Sequence, residues 1–380
     1  MSSKNIIKIA VMAGEKFNGG VWGILYNYFR RIDHDRFKIT FFVAEKCPEE
    51  LSKEIRRLGG DFVTIPPRGR VVRYLMSLVK IYRKERFDIV HANLTTLNFM
   101  PLFAAWVAGV PVRISHSHSN SNPADRGLNI LKNALRLLSH LFVTDYFTCS
   151  EKSGRWLFGN KFYDSGRVQL IRNAIDVSRF AYDEQKRRAI RGKYGLQGRF
   201  VVGNIGRFTA QKNHPFILAV FAQMVRVNPD ARLLYVGWGE QESKVRGMVS
   251  NMKLEPYVVF AGEIADTAAY YSAMDVFLLP SIFEGLCVCL IEAQANGLPC
   301  VVSTNNSIES KITPLLMFRS LEDPPMVWAR DCLSARRSLD SGAIQGLVVN
   351  AGYEIAKAVK GLEDAYRAVL VNGNREEKQS

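Results

Sequence analysis

Short apolar runs alternate along the chain with segments whose apolar residues recur at helical spacing. In the first half the runs at 6–12, 38–43, 62–65, 89–92, 112–115, 146–149 and 168–171 read as strands. Helical patterns separate them over 19–31, 49–58, 71–85, 96–108, 126–141 and 151–159. The second half restarts the alternation, with strands at 200–205, 232–236, 258–260, 276–279 and 300–302. Its helices fall near 213–227, 240–252, 266–274 and 286–296. Repeated β-α-β units imply parallel sheets covered on both faces. The charged stretch 183–198 separates the two series and reads as the boundary between them. The pattern therefore predicts two Rossmann-like, doubly wound α/β domains, over 1–180 and 181–352, with a closing helix and polar tail over 353–380. Such sheets bind ligands at the carboxyl ends of their strands, and two in series suggest a cleft between them.

Composition changes this picture in two respects. The net charge of +15 is concentrated in residues 1–180, which carry 28 Lys+Arg against 15 Asp+Glu (28 − 15 = 13); residues 181–380 carry 23 against 21. A basic first half suits an anionic partner or surface. No nucleic-acid motif accompanies the charge, so a nucleic-acid partner is not expected. The six cysteines include no C-x-x-C pair and lie in apolar surroundings, which suggests reduced core thiols and a cytoplasmic protein. No secretory leader is legible, and the longest uncharged stretch is a poor membrane span.

Candidate chemistry gathers where strands end. Gly19-Gly20 opens a helix after the first strand, a place where backbone N–H groups can meet an anion, although G-x-G-x-x-G is absent. Arg207 and Lys212 share a short loop after 200–205, and two cations beside a helix N-terminus suit a diphosphate. His116 and His118 end another strand; with no Cys or carboxylate cluster beside them they read as a polar strand end rather than a metal site. Asp33-His34-Asp35 lies where a turn is expected, and Cys287-Val288-Cys289 reads as core packing, so no metal is expected. Glu284 and Glu292 bracket Gly285, Leu286 and an apolar run. If the segment is helical throughout, they stand about 12 Å apart along the axis. Two readings are open: opposite ends of one polar ligand, or a helix cap and a carboxylate paired with a buried Arg or Lys.

Taken together, these residues resemble the retaining glycosyltransferases of family 4, which have the two-domain GT-B fold. The resemblance rests on Phe283-Glu284-Gly285 through Glu292 and Gly297-Leu298-Pro299, on Arg207 and Lys212, on Gly19-Gly20, and on Arg172-Asn173-Ala174-Ile175-Asp176. Ile114-Ser115-His116-Ser117-His118 and Thr148-Cys149-Ser150-Glu151 resemble the capsule and exopolysaccharide branch. Cys287 stands where the family usually has proline, and Trp238 where it often has aspartate.

The resemblance implies sugar transfer from a nucleotide diphosphate sugar, a UDP-sugar, to a glycan or polyprenyl-diphosphate-linked glycan, without cofactor or metal. The sugar moved would be a hexose or an N-acetylhexosamine. It implies that Arg207 and Lys212 neutralise the diphosphate, with Gly285 and Leu286 amides helping, and that Gly20 lets the first domain approach the phosphates. Glu284 would hold the sugar, Glu292 the ribose, and His116 would face the donor sugar. The closing helix would return to the first domain. The basic first domain would sit peripherally on the anionic inner face of the cell membrane. A non-catalytic nucleotide-sugar or glycan binder and a sugar-nucleotide epimerase are the alternatives.

Overall fold

The computed structural model describes residues 6–14, 17, 19–118, 134–138, 140–338 and 340–376, with side chains described as far as 371. Most of the helix expected over 126–141 therefore lies outside the described residues, although 134–138 are helical.

The first sheet holds β1 (Ile7–Met12), β2 (Phe37–Val43), β3 (Asp61–Thr64), β4 (Ile89–Ala92), β5 (Val112–Ser117), β6 (Asp145–Thr148) and β7 (Val168–Leu170), in the order β3-β2-β1-β4-β5-β6-β7. Every pairing is parallel. Between the strands run α1 (Gly20–Phe29), α2 (Glu49–Arg57), α3 (Val71–Glu85), α4 (Phe99–Val107), α5 (Glu151–Phe158) and α6 (Asn160–Asp164). Phe42, Tyr74, Leu78, Tyr82, Val90 and Leu102 form one core beneath this sheet.

The second sheet holds β8 (Phe200–Ile205), β9 (Ala231–Val236), β10 (Val258–Phe260), β11 (Val276–Leu279), β12 (Cys300–Ser303) and β13 (Leu316–Arg319), in the order β10-β9-β8-β11-β12-β13, again all parallel. Its helices are α7 (Glu184–Lys193), α8 (His214–Val227), α9 (Glu242–Asn251), α10 (Ala268–Ala273), α11 (Val288–Ala295), α12 (Pro325–Ser334) and α13 (Ser341–Asn350). Buried strands read as continuous apolar runs because both faces are covered. Gly203 in β8 leaves room for the Met274 side chain, whose sulfur would lie 1.9 Å from a Cβ there.

By contacts the chain divides into two compact units, residues 1–174 with 355–380, and residues 175–354. The expected boundaries at 180/181 and 352/353 compare with 174/175 and 354/355 in this division. The last helix, α14 (Ile355–Glu376), belongs to the first unit, as expected of the closing helix: its Glu363 accepts the Asp33 N–H at 2.9 Å, and Tyr366 reaches His91. The charged stretch 183–198 is not a bare linker. Most of it is α7, capped by Asp183 and packed on α10, with Arg187 and Arg191 both 2.6 Å from Asp275.

Candidate active site

In each sheet the order reverses beside the first strand, and in the second sheet β8 and β11 are the neighbours at that reversal. Their following loops, 206–212 and 280–287, emerge side by side at the carboxyl edge, where open α/β sheets bind ligands. Five expected site residues, Arg207, Lys212, Glu284, Gly285 and Leu286, fall on these loops, and Glu292 on the helix that follows.

The first loop is tied down by backbone contacts. Gly206 N–H donates to Val236 at 3.0 Å, and Phe208 N–H to Trp238 at 2.9 Å. Gly237, at φ 134°, makes this approach possible; a Cβ there would sit 2.1 Å from the Gly206 carbonyl oxygen. Phe208 is buried against His214, with ring centroids 4.6 Å apart. Arg207 is left on the outside, over the Trp238 ring and 3.3 Å from Glu240.

Lys212 is turned inward. It ends a single 3-10 turn whose Gln211 clasps the facing loop, accepting from Ile282 N–H at 2.8 Å and donating to the Phe283 carbonyl at 3.0 Å. Lys212 Nζ lies 2.7 Å from Glu284 Oε1 and 3.6 Å from Cys287 Sγ. Burial works against its charge, but Cys287 and Glu284 outweigh that and hold the ammonium well above the ordinary lysine range. Glu284 is 8% exposed and also accepts from the Ser281 hydroxyl at 3.0 Å. It is therefore no helix cap: α11 starts four residues later, with Cys287 as its N-cap residue. The 284–292 segment is not helical throughout, so the helical rise does not measure the separation of the glutamates.

Leu286 is buried and Gly285 half-buried between Glu284 and α11. Glu292 lies in α11 and, contrary to the ion-pair reading, accepts from the Tyr271 phenol at 2.7 Å. Burial pushes its carboxyl up to about 7, against the opposing pull of that hydrogen bond and of Arg179. Tyr271, Ser281 and Gln211 are the residues that sequence reasoning missed. They act through individual hydrogen bonds, which leave no periodic signal, and nothing in the run Tyr270-Tyr271-Ser272 singles out Tyr271. The first turn of α11 is also less buried than expected: Cys287 and Cys289 are partly exposed, with sulfurs 3.0 Å apart, and are not core thiols.

Gly20 and His116 belong to the first unit. Gly20 opens α1 after Gly19 at φ 91° and is exposed; a Cβ there would meet nothing within 4 Å. His116, near the end of β5, is 3% exposed. Its Nδ1 is 2.9 Å from His91 Nε2, and His91 Nδ1 is 2.8 Å from the Tyr366 hydroxyl. That hydroxyl has no other acceptor among the described residues, so donation runs from Tyr366 to His91 and from His91 to His116, leaving the His116 proton on Nε2. Burial, reinforced by His118 and His91, keeps the His116 ring neutral. His118 is likewise buried and bonds the Asn93 side chain at 2.8 Å.

Among the described residues no group of three or more His, Cys, Asp or Glu is placed to hold a metal ion. No helix among them is long and apolar enough to cross a membrane.

Comparison with known proteins places this arrangement. Residues 18–179 match the model of Glycosyltransferase Family 4, and residues 199–320 that of Glycosyl transferases group 1. A protein described as a glycosyltransferase, EpsF of Bacillus subtilis (strain 168), is 30% identical over 96% of this chain and 97% of its own length. The Escherichia coli UDP-Gal:alpha-D-GlcNAc-diphosphoundecaprenol alpha-1,3-galactosyltransferase is 25% identical over 98% of this chain and 99% of its own. Among solved structures, Anabaena HepE in complex with UDP-glucose superposes with a TM-score of 0.75 at 16% identity, over 95% of this chain and 100% of that one. The loops after β8 and β11 thus carry the charged residues of a chain that belongs to the group 1, family 4 glycosyltransferases and is an enzyme of GT-B fold.

Proposed function

We infer that the protein transfers a hexose or N-acetylhexosamine, with retention at the anomeric carbon, from a UDP-sugar to a polyprenyl-diphosphate-linked glycan during assembly of a bacterial polysaccharide. The observation that carries this reading is the buried Lys212–Glu284 pair on adjacent strand-end loops, with Arg207 exposed beside it. A cation fixed in a site of low dielectric stabilises charge developing on a leaving diphosphate without reorganising as the bond breaks. Arg207 and Lys212 take the diphosphate, helped by the Gly285 and Leu286 amides. Glu284 is oriented by Lys212 and Ser281 and accepts from sugar hydroxyls. Glu292 accepts from the ribose. The UDP-Gal donor and diphosphoundecaprenol acceptor named for the E. coli relative, and UDP-glucose bound to HepE, support the donor and acceptor classes.

The test is release of UDP from a panel of UDP-sugars with a polyprenyl-diphosphate-linked acceptor, read for wild type and Arg207→Ala. Arg207 pairs with Glu240 at the exposed surface, so its loss is expected to change stability by less than about 0.5 kcal/mol. Turnover is expected to fall about 100-fold, as when one oxyanion donor is removed. Unchanged turnover in a folded Arg207→Ala protein rejects the assignment.

A second expectation concerns pH. The carboxyl of Glu292 is pushed up to about 7 in the free protein, and ribose hydroxyls favour its ionised form. UDP binding should therefore release protons below pH 7 and tighten as pH rises from 6 to 8. Glu292→Gln should flatten that dependence in calorimetric titrations. The same raised pKa implies that the free fold loses stability as pH rises from the ordinary glutamate value through about 7, because only the protonated group is favoured by burial.

Membrane association is part of the same reading. On α3, Val72 and Met76 are 71% and 68% exposed beside the exposed Arg73, Lys80 and Arg83, a pairing of apolar and basic groups that suits an anionic bilayer surface. Flotation with anionic liposomes but not neutral ones is the expected result.

A further inference from the structure

Cys287 and Cys289 stand apart from the other four cysteines, which are buried. Both are partly exposed, and their sulfurs are 3.0 Å apart. Closing that gap to a disulfide takes a movement of about 1 Å. Cys287 is the N-cap residue of α11 and faces the Lys212 ammonium at 3.6 Å. A helix N-terminus and a neighbouring lysine are the two surroundings that turn a thiol into a nucleophilic thiolate. The thiol of Cys289 completes the arrangement: its hydrogen bond lowers the Cys287 pKa against the effect of burial, and Lys212 adds to it, while the Cys289 pKa is held up.

We propose that Cys287 and Cys289 are a redox-modifiable dithiol at the edge of the donor site, converted by a hydroperoxide to an intramolecular disulfide and shielded when the donor diphosphate occupies Lys212. The chemistry balances in two steps. The Cys287 thiolate attacks one peroxide oxygen, the O–O bond breaks, and a sulfenic acid and hydroxide are formed. The Cys289 sulfur then attacks the Cys287 sulfur, the S–O bond breaks, and the Cys289 proton leaves with the hydroxyl as water. Two thiols lose two electrons and the peroxide gains them. A thiol reductant reverses the reaction, as expected of a partly exposed disulfide closed over so small a loop.

Shielding follows from charge. A bound diphosphate shares the Lys212 cation with Cys287 and places anionic oxygens beside the sulfur, so the thiolate is disfavoured. The empty enzyme is therefore the oxidisable form. This part rests on the donor placement proposed above; the dithiol itself does not.

The experiment exposes the folded full-length protein to hydrogen peroxide and follows intact mass and a peptide map. A loss of about 2 Da is expected, confined to the peptide containing 287 and 289 and reversed by dithiothreitol. In Cys289→Ser the reaction should stop at a sulfenic acid on Cys287 that dimedone traps. In Cys287→Ser the loss should vanish, and in Lys212→Met the rate should fall about tenfold, as for a thiol pKa one unit higher. Disulfide formation elsewhere, or an equal rate in Cys287→Ser, overturns the proposal. A parallel arm adds UDP at a concentration that calorimetry shows to be saturating; slowing of at least about fivefold is expected from the lost thiolate fraction. Saturating UDP that leaves the rate unchanged removes the shielding claim and the donor placement at Lys212, while the dithiol stands on the mass data alone.

Discussion

Lys212→Met should abolish most of the transfer activity, lowering kcat/KM by about 10²–10³-fold, the range found when a preorganised donor to developing negative charge is lost. The expectation rests on how completely the cation is built in. Its side chain is 12% exposed, and it is held by Glu284 at 2.7 Å and flanked by Cys287 at 3.6 Å. The variant has a second, separable effect. Removing the cation leaves Glu284 buried beside Ser281 without a counter-charge, which costs about 3–5 kcal/mol for a broken buried pair. Thermal unfolding should show that loss, and the double variant Lys212→Met/Glu284→Gln should recover much of it, because a neutral amide in that place no longer carries an unpaired charge. Activity should stay low in the double variant. If activity returns with stability, Lys212 supports the fold only and has no part in transfer.

The contrast between Lys212 and Arg207 also shows how far a sequence can be read. Both are visible as cations after a strand ending in Gly203-Asn204-Ile205-Gly206, and the alternation of strands and helices identifies that strand as the first of a second parallel sheet. All-parallel strands covered on both faces give long apolar runs, so β1, β4, β8 and β11 are legible almost to the residue. The four-residue edge strand β13 is not: its apolar run Leu315-Leu316-Met317-Phe318 is short, begins right after Pro314, and ends in Arg319, and only Leu316 of the strand is buried. The division of labour between the two cations is equally hidden. Whether a lysine turns inward depends on Gln211 clasping residues 282 and 283 across 72 positions of sequence, and no local pattern encodes that. The same holds for His116, whose buried ring is oriented by Tyr366 from the far end of the chain, and for Glu292, whose partner proved to be a phenol.

The segment read as a boundary between domains supplies the last expectation. Asp275 precedes β11 at the amino edge of the second sheet, opposite the strand ends that carry Arg207, Lys212 and Glu284. Its two carboxylate oxygens take Arg187 and Arg191 of α7 at 2.6 Å each, and Oδ2 also accepts the Val201 N–H at 2.7 Å. The two guanidinium groups in turn bind the carbonyls of Ser272, Ala273 and Met274, where α10 turns into β11. Arg337 joins them, donating to the carbonyls of Tyr271 and Met274, with its pKa lowered to about 10 by burial and by Arg187. Three arginines in one place repel each other, and Asp275 is the carboxylate that two of them share. Asp275→Ala removes it, leaving two largely buried cations with carbonyl partners but no counter-charge, and takes the acceptor from the Val201 N–H. The expected cost is about 3–5 kcal/mol. For a unit of this size that corresponds to a fall in Tm of roughly 6–20 °C. Asp275→Asn keeps one acceptor oxygen and should lose less. Because the residue lies at the edge away from the loops, kcat of the folded fraction at low temperature should stay at the wild-type level, and UDP affinity with it. A variant that lost turnover while keeping its Tm would show that the arginine cluster acts on the site rather than on the fold, and the stretch 183–198 would then need a functional reading in place of this structural one.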